Sequence, residues 1–158
     1  MEGDKKKALA VAANVLRYRN RSSEALYERL LEKGIDSEDA EYAVNRLREL
    51  GFLNDYEYGE SVVRQCRAKG WGAIRVKQEL KKRKVPAEYI SSLLEGFSPD
   101  YEKALKTVRG VLDKSGTADN RAALKKASDS LARKGYSWEQ IYKVLEEYRD
   151  LLEENSGE

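Results

Sequence analysis

Hydrophobic positions along the chain recur in columns about fifty residues apart. Leu30, Leu80 and Leu131 form one column, and Ile35, Val85 and Tyr136 the next. Ala40, Ile90 and Ile141 follow, then Val44, Leu94 and Leu145, then Leu47, Phe97 and Tyr148, each stepping by 50 and then 51 positions. Earlier in each period the columns Ala12, Val62, Val108 and Leu16, Cys66, Leu112 step by 50 and then 46, so a longer connection follows the first element of the third copy. Asp113-Lys114-Ser115-Gly116-Thr117 has the residue types of that loop.

Within one period the apolar residues keep helical spacing: Leu9, Ala12 and Leu16, then Leu26 and Leu30 behind Ser22, then Val44 and Leu47 behind Ser37. Each period therefore predicts three short helices. Ser137-Trp138-Glu139-Gln140 has capping-box spacing, and Asn54-Asp55-Tyr56-Glu57 follows similar logic. Ser98-Pro99 reads as a cap followed by a proline at the first helical position, and Pro86 as the same device. Gly34, Gly51, Gly70 and Gly135 stand where helices stop. Trp138, at a helix start, reads as a hydrophobic staple, and most tyrosines read as half-buried repeat positions.

The fold expected is an all-α tandem array of three three-helix, helix-turn-helix-like repeats, elongated and curved. One fifty-residue unit buries too little apolar surface alone, so the units should stack. The expected boundaries are 5–53, 54–97 and 98–152, with 153–158 an acidic C-terminal tail.

Composition narrows the chemistry. Of 158 residues 37% are charged, 41% are hydrophobic and two are proline, and mean hydropathy is −0.77. There is no histidine, which removes the commonest general base and metal ligand, and one cysteine excludes an internal disulfide framework. Cys66 shares the column of Leu16 and Leu112 and reads as a small core residue. Gly70-Trp71-Gly72 lacks the Lys-Ser/Thr of a phosphate loop. No apolar run is long enough for a membrane span. The expectation is a cytoplasmic protein that is not an enzyme, has no cofactor or metal, and takes no small-molecule substrate.

Charge is segregated although the net value is only +2. Arg67 to Lys84 holds eight basic residues against Glu79 alone, and Lys5 to Arg21 holds six with no acid. From Asp36 to Glu60 eight acids face Arg46 and Arg48. In the helix after Gly72, Ala73, Val76 and Leu80 point to the core, whereas Ile74, Arg75, Gln78, Lys81 and Lys82 point away. These five with Trp71 form the candidate contact surface for phosphates or an acidic protein. Arg17, Arg19 and Arg21 form a second candidate basic cluster.

Gly51-Phe52-Leu53-Asn54-Asp55, followed by Tyr58-Gly59, resembles the "glycine, aromatic, leucine, Asx, aspartate, then aromatic, small" signature of the RecX family of bacterial recombination regulators. Arg21-Ser22-Ser23 leading to Leu26, Gly70-Trp71-Gly72 leading to Ile74 and Glu79-Leu80, and Arg133-Lys134-Gly135-Tyr136-Ser137 leading to Ile141 fit the same family. The similarity covers roughly residues 8 to 150. Lys84 departs from it by replacing the glycine of a Lys-Gly-Ile turn, and Tyr58-Gly59 by replacing Phe-Ala. Many members also carry an extra segment before the first helix. The resemblance implies a protein that binds the RecA recombinase, seats along the groove of the RecA–DNA filament, and suppresses its ATPase and strand exchange. Recombinational repair and the SOS response would be adjusted thereby, with possible weak direct DNA contact through the basic patches. The alternative is a general DNA-binding helical-repeat module, which would bind bare DNA tightly and with strong salt dependence. A tetratricopeptide-like scaffold fits less well, because its period is 34 residues with two helices.

Overall fold

The structure, a computed structural model, describes residues 2–114 and 120–156, and among these there are nine helices and no strand. They are α1 (Glu2–Tyr18), α2 (Ser23–Glu32), α3 (Ser37–Glu49), α4 (Asp55–Ala68), α5 (Ala73–Lys82), α6 (Ala87–Glu95), α7 (Tyr101–Lys114), α8 (Asn120–Arg133) and α9 (Trp138–Ser156). Three trios of helices follow one another, as the columns require. Most of the loop expected at 113–117 lies outside the described residues; Asp113 and Lys114 end α7. The last two residues of the expected acidic tail also lie outside them.

Two of the columns have one physical cause. In the first trio Ile35 N–H donates to Leu30 O and Gly34 N–H to Leu31 O, both at 3.0 Å. This is the paired hydrogen bonding of a Schellman end, which needs a left-handed residue between and brings an apolar residue beyond it onto the helix. Val85 repeats the bond to Leu80 O, and Tyr136 repeats it to Leu131 O, each at 3.1 Å. Leu30, Leu80 and Leu131 are all 0% exposed. The two columns are thus the two halves of one helix terminator, copied three times.

The left-handed residue is Gly34 (φ +85°) in the first copy and Gly135 (φ +90°) in the third, but Lys84 (φ +60°) in the second. Among the described residues Lys84 alone takes positive φ without being glycine. Its Nζ pairs with Glu28, both side chains being well exposed, so the pair adds little. Lys84→Gly should remove a left-handed penalty of about 1–2 kcal/mol and lose about 0.5–1 kcal/mol to the more flexible unfolded chain. The expected result is a small rise in melting temperature by calorimetry. A fall would show that the pair with Glu28 outweighs the backbone term.

Helix starts follow the capping chemistry, with three corrections. Ser137 N–H donates to Gln140 Oε1 at 3.0 Å and Gln140 N–H to Ser137 Oγ at 3.2 Å, a reciprocal capping box. Ser22 Oγ accepts from Ala25 N–H, and Asn54 Oδ1 accepts from Glu57 N–H. The Asn54 segment therefore caps through the asparagine. The third trio does not begin at Ser98-Pro99: Asp100 Oδ1 accepts from Lys103 N–H, and α7 starts one residue later. Pro86 precedes its helix, its carbonyl accepting from Ile90 N–H at 3.0 Å. Trp138 is no staple, since it is 79% exposed.

The packing forms two units, residues 1–62 with 79–93 and residues 63–78 with 94–158, so the division passes through α4 and α5. In the first unit α1 packs mainly on α3, with Ala8 and Ala12 beside Ala40 and Ala43 in a core closed by Leu26, Leu30, Leu47 and Leu53. Alanines at these sites let two helices approach closely. In the second unit α7 packs on α8 and α9 around Ala104, Val108, Ala127, Leu131, Tyr136, Ile141 and Val144. The sequence columns are not buried throughout: Leu16, Leu112, Phe97 and Tyr148 are half-buried, and one column shifts register. Leu94 and Leu145 are only half-buried, and the fully enclosed column lies one residue earlier, at Ala43, Leu93 and Val144. A column not read from the sequence, Leu26, Val76 and Ala127, is 0% exposed throughout.

Candidate functional site

The candidate surface begins where α4 stops. Gly70 (φ +80°) ends that helix, and Trp71 N–H returns to Cys66 O at 3.1 Å. The start of α5 then lies against the turn after α8: Gly72 N–H donates to Lys134 O at 2.8 Å and Ile74 N–H to Gly135 O at 2.9 Å. First-turn N–H groups of a helix have no partner inside it, and last-turn carbonyls have none either, so each end satisfies the other. The approach is close. A Cβ on Gly72 would lie 2.6 Å from Gly135 O, and one on Gly135 would lie 2.5 Å from Arg75 N.

Tyr136 locks the same junction, its buried hydroxyl donating to Gly70 O at 3.1 Å. Burial, with Asp100 next in weight, pushes its phenol up to about 12 from the ordinary value of 10.0. A folded-state value above the unfolded one gives stability that is complete below pH 10 and is lost as pH rises toward 12. Tyr136→Phe should cost about 1–3 kcal/mol at neutral pH, because the Gly70 carbonyl loses this donor. Its urea midpoint should then fall less steeply than that of the parent between pH 10 and pH 12. Parallel curves would assign the alkaline loss to other tyrosines.

Trp71 is half-buried beneath cations. Arg75 Cζ stands 3.9 Å from the ring centroid and Lys69 Nζ 4.8 Å. Each contact adds about 0.5–1 kcal/mol at an exposed site and holds its cation in place. Along α5, Ile74 is 49% exposed, and Gln78 and Lys81 follow it at i+4 and i+7, both exposed. Lys82 and Arg75 flank that stripe. Lys81 and Lys82 lie past Gln78, on the part of α5 that packs with the first unit. Glu79, the one acid in this stretch, accepts from Arg83 Nε at 2.9 Å. Arg83 is also 3.4 Å from Tyr58 Oη, and bonds to Tyr58 and then Glu79 raise its pKa, so it stays cationic.

Of the second cluster, Arg17 and Arg19 are exposed, whereas Arg21 is half-buried with its Nε enclosed and without a hydrogen-bond partner. Cys66 is 2% exposed and so belongs to the core, whereas Leu16 and Leu112 of the same column are half-buried. Among the described residues no group of three or more His, Cys, Asp or Glu is placed to hold a metal ion, and no helix is long and apolar enough to cross a membrane.

Several exposed aromatics were not read as surface residues, Tyr18 (82% exposed) among them. Phe52 is 72% exposed, Trp138 79% and Tyr142 65%. Trp138 and Tyr142 border an apolar recess of about 430 Å³ with Ser128, Ile141 and Leu145. The available signal was comparison between copies: the equivalent positions are Ser37 and Glu41, and Ala87 and Ser91.

Comparison with known proteins accounts for almost the whole chain. Residues 8–47, 54–94 and 98–145 match the family models described as RecX first, second and third three-helix domain. "Regulatory protein RecX" of Stenotrophomonas maltophilia (strain R551-3) is 33% identical over 131 residues, 82% of this chain and 80% of that protein. The protein of the same name from Vibrio cholerae serotype O1 (strain M66-2) is 33% identical over 135 residues, covering 85% and 89%. The crystal structure of RecX from Lactobacillus salivarius superimposes with a TM-score of 0.87 over 94% of this chain and 99% of that one, at 23% identity. A second crystal structure of regulatory protein RecX gives 0.77 over 91% and 73%, at 22% identity.

Proposed function

Since this chain belongs to the RecX family of regulatory proteins, we propose that it is a non-catalytic regulator that binds the RecA recombinase and RecA–DNA filaments. On this reading it inhibits their ATPase and strand exchange in the cytoplasm, adjusting recombinational repair and the SOS response. The observation that carries the reading is the outward face of α5. Trp71 holds Arg75 in place, Ile74 is half exposed, and Glu79 is already engaged by Arg83. Arg75, Lys81 and Lys82 therefore give α5 a predominance of positive charge, Glu79 being its one acid. Such a face suits an acidic protein surface or the phosphates of a filament, where complementary charge speeds encounter and fixes orientation.

The test is charge reversal. Arg75→Glu, Lys81→Glu and Lys82→Glu combined should raise the concentration giving half-inhibition of DNA-dependent ATP hydrolysis by RecA at least about tenfold, or 1.4 kcal/mol. Unchanged inhibition by the folded triple variant would remove this face from the account. A general DNA-binding module would instead hold bare duplex as tightly as the filament.

A further inference from the structure

The third trio carries aromatic rings at positions that the other two leave small or polar. Trp138 and Tyr142 on α9 correspond to Ser37 and Glu41 on α3 and to Ala87 and Ser91 on α6, and all six residues are exposed. The repeated fold therefore does not call for the rings. They border a recess of about 430 Å³ between α8 and α9, lined also by Ser128, Glu139, Ile141 and Leu145. Leu124, one turn before Ser128 on α8, is itself 43% exposed.

Size and charge both describe a surface that can meet its own copy. At 79% and 65% exposure the two rings present about 300 Å² to water, and a contiguous apolar patch of that size marks a contact surface. Two such faces, with Leu124, Lys125, Ser128 and Glu139 around the rings, would bury on the order of 1,000 Å², the lower end of specific interfaces. The charges sit on opposite walls of the recess. Glu139 belongs to the α9 wall, and Lys125, three residues before Ser128, to the α8 wall. Both are exposed, and among the described residues neither pairs with a charge of its own chain. Neighbouring charges of α9 are engaged: Arg149 lies 3.9 Å from Glu146, and Lys143 Nζ stands 4.7 Å from the centre of the Tyr101 ring.

We propose that this cleft is a self-association surface, at which two copies of the chain meet face to face about a two-fold axis along the groove between α8 and α9. Such an axis sets the α8 wall of each copy against the α9 wall of the other, so every contact is made twice. Trp138 and Tyr142 of one copy then cover Leu124 and Ser128 of the second, and Glu139 meets Lys125 across the axis. Burial of the rings supplies the attraction, and the crossed charges fix the register. The surface lies on the third trio alone and shares no residue with the α5 face, so it stands or falls apart from the recombinase reading.

The test follows the mass of the full chain across concentration by sedimentation equilibrium. The parent should pass from monomer to dimer with a midpoint on the order of 10 μM, as suits a small interface. Trp138→Ala, at a side chain that folding leaves in water, should melt with the parent and weaken the dimer at least about tenfold. Tyr142→Ser carries the same expectation should Trp138→Ala not fold. Glu139→Lys and Lys125→Glu should each stay monomeric alone, because each sets like charges together across the axis. An equimolar mixture of these two variants should recover the dimer, since both crossed pairs are then opposite in charge. A parent that stays monomeric, a dimer that survives Trp138→Ala, or charge variants whose mixture does not reassociate would each overturn the proposal. So would a monomeric parent whose Trp138→Ala variant loses inhibition of RecA, which would give the cleft to the recombinase instead.

Discussion

Gly135→Ala is expected to lower the melting temperature by roughly 10 °C or more, corresponding to about 3–5 kcal/mol in a chain of this size. Two costs combine. Alanine at φ +90° carries a left-handed penalty of about 1–2 kcal/mol. The new methyl would also sit 2.5 Å from Arg75 N and 2.9 Å from its Cα, and backbone cannot swing aside as a side chain does. Moving α5 away to relieve the clash would stretch the bonds from Gly72 to Lys134 O and from Ile74 to Gly135 O, each worth about 0.5–1.5 kcal/mol. Gly34→Ala is the control. It has nearly the same φ, +85°, with nothing within 4 Å of the new atom, so only the left-handed penalty applies. Calorimetry on the two variants separates the effects, and equal losses would show that the close approach contributes nothing.

Asp55→Ala is the second large effect, at about 1.3–4 kcal/mol. One carboxylate oxygen accepts from Ser23 N–H at 2.7 Å and from Ser23 Oγ at 3.0 Å, tying the start of α2 to the start of α4. Ser23 is 6% exposed, so without Asp55 water cannot easily replace the acceptor. An enclosed N–H left unpaired costs about 1–3 kcal/mol. Loss of a negative charge from the first turn of α4 adds about 0.3–1 kcal/mol. Asp55→Asn keeps an acceptor and should lose roughly half as much in denaturant melts. If the asparagine variant loses as much as the alanine variant, charge dominates over the bond.

The fold was legible because its periodicity has a simple cause. Leu30 with Ile35, Leu80 with Val85, and Leu131 with Tyr136 are the fixed ends of a terminator whose geometry allows no drift, so the columns stay aligned through three copies. Helix starts are less constrained. Ser98, Pro99 and Asp100 can each open a helix, and residue type alone does not say which side chain reaches an exposed N–H. The α5 face was readable from 100° spacing. The stacking of Arg75 on Trp71 was not, because it joins a loop residue to a helical one across a turn. Phe52 and Trp138 were missed for a common reason: an aromatic beside a helix end fits packing and exposure equally well until the backbone direction is known.

The segment that is repeated and the segment that packs as one compact unit are not the same stretch of chain. Excising the middle copy at the boundaries expected from sequence, residues 54–97, would remove 54–62 and 79–93 from one compact unit and 63–78 and 94–97 from the other. An exchange of segments that keeps each compact unit whole would have to cut inside α4 and α5.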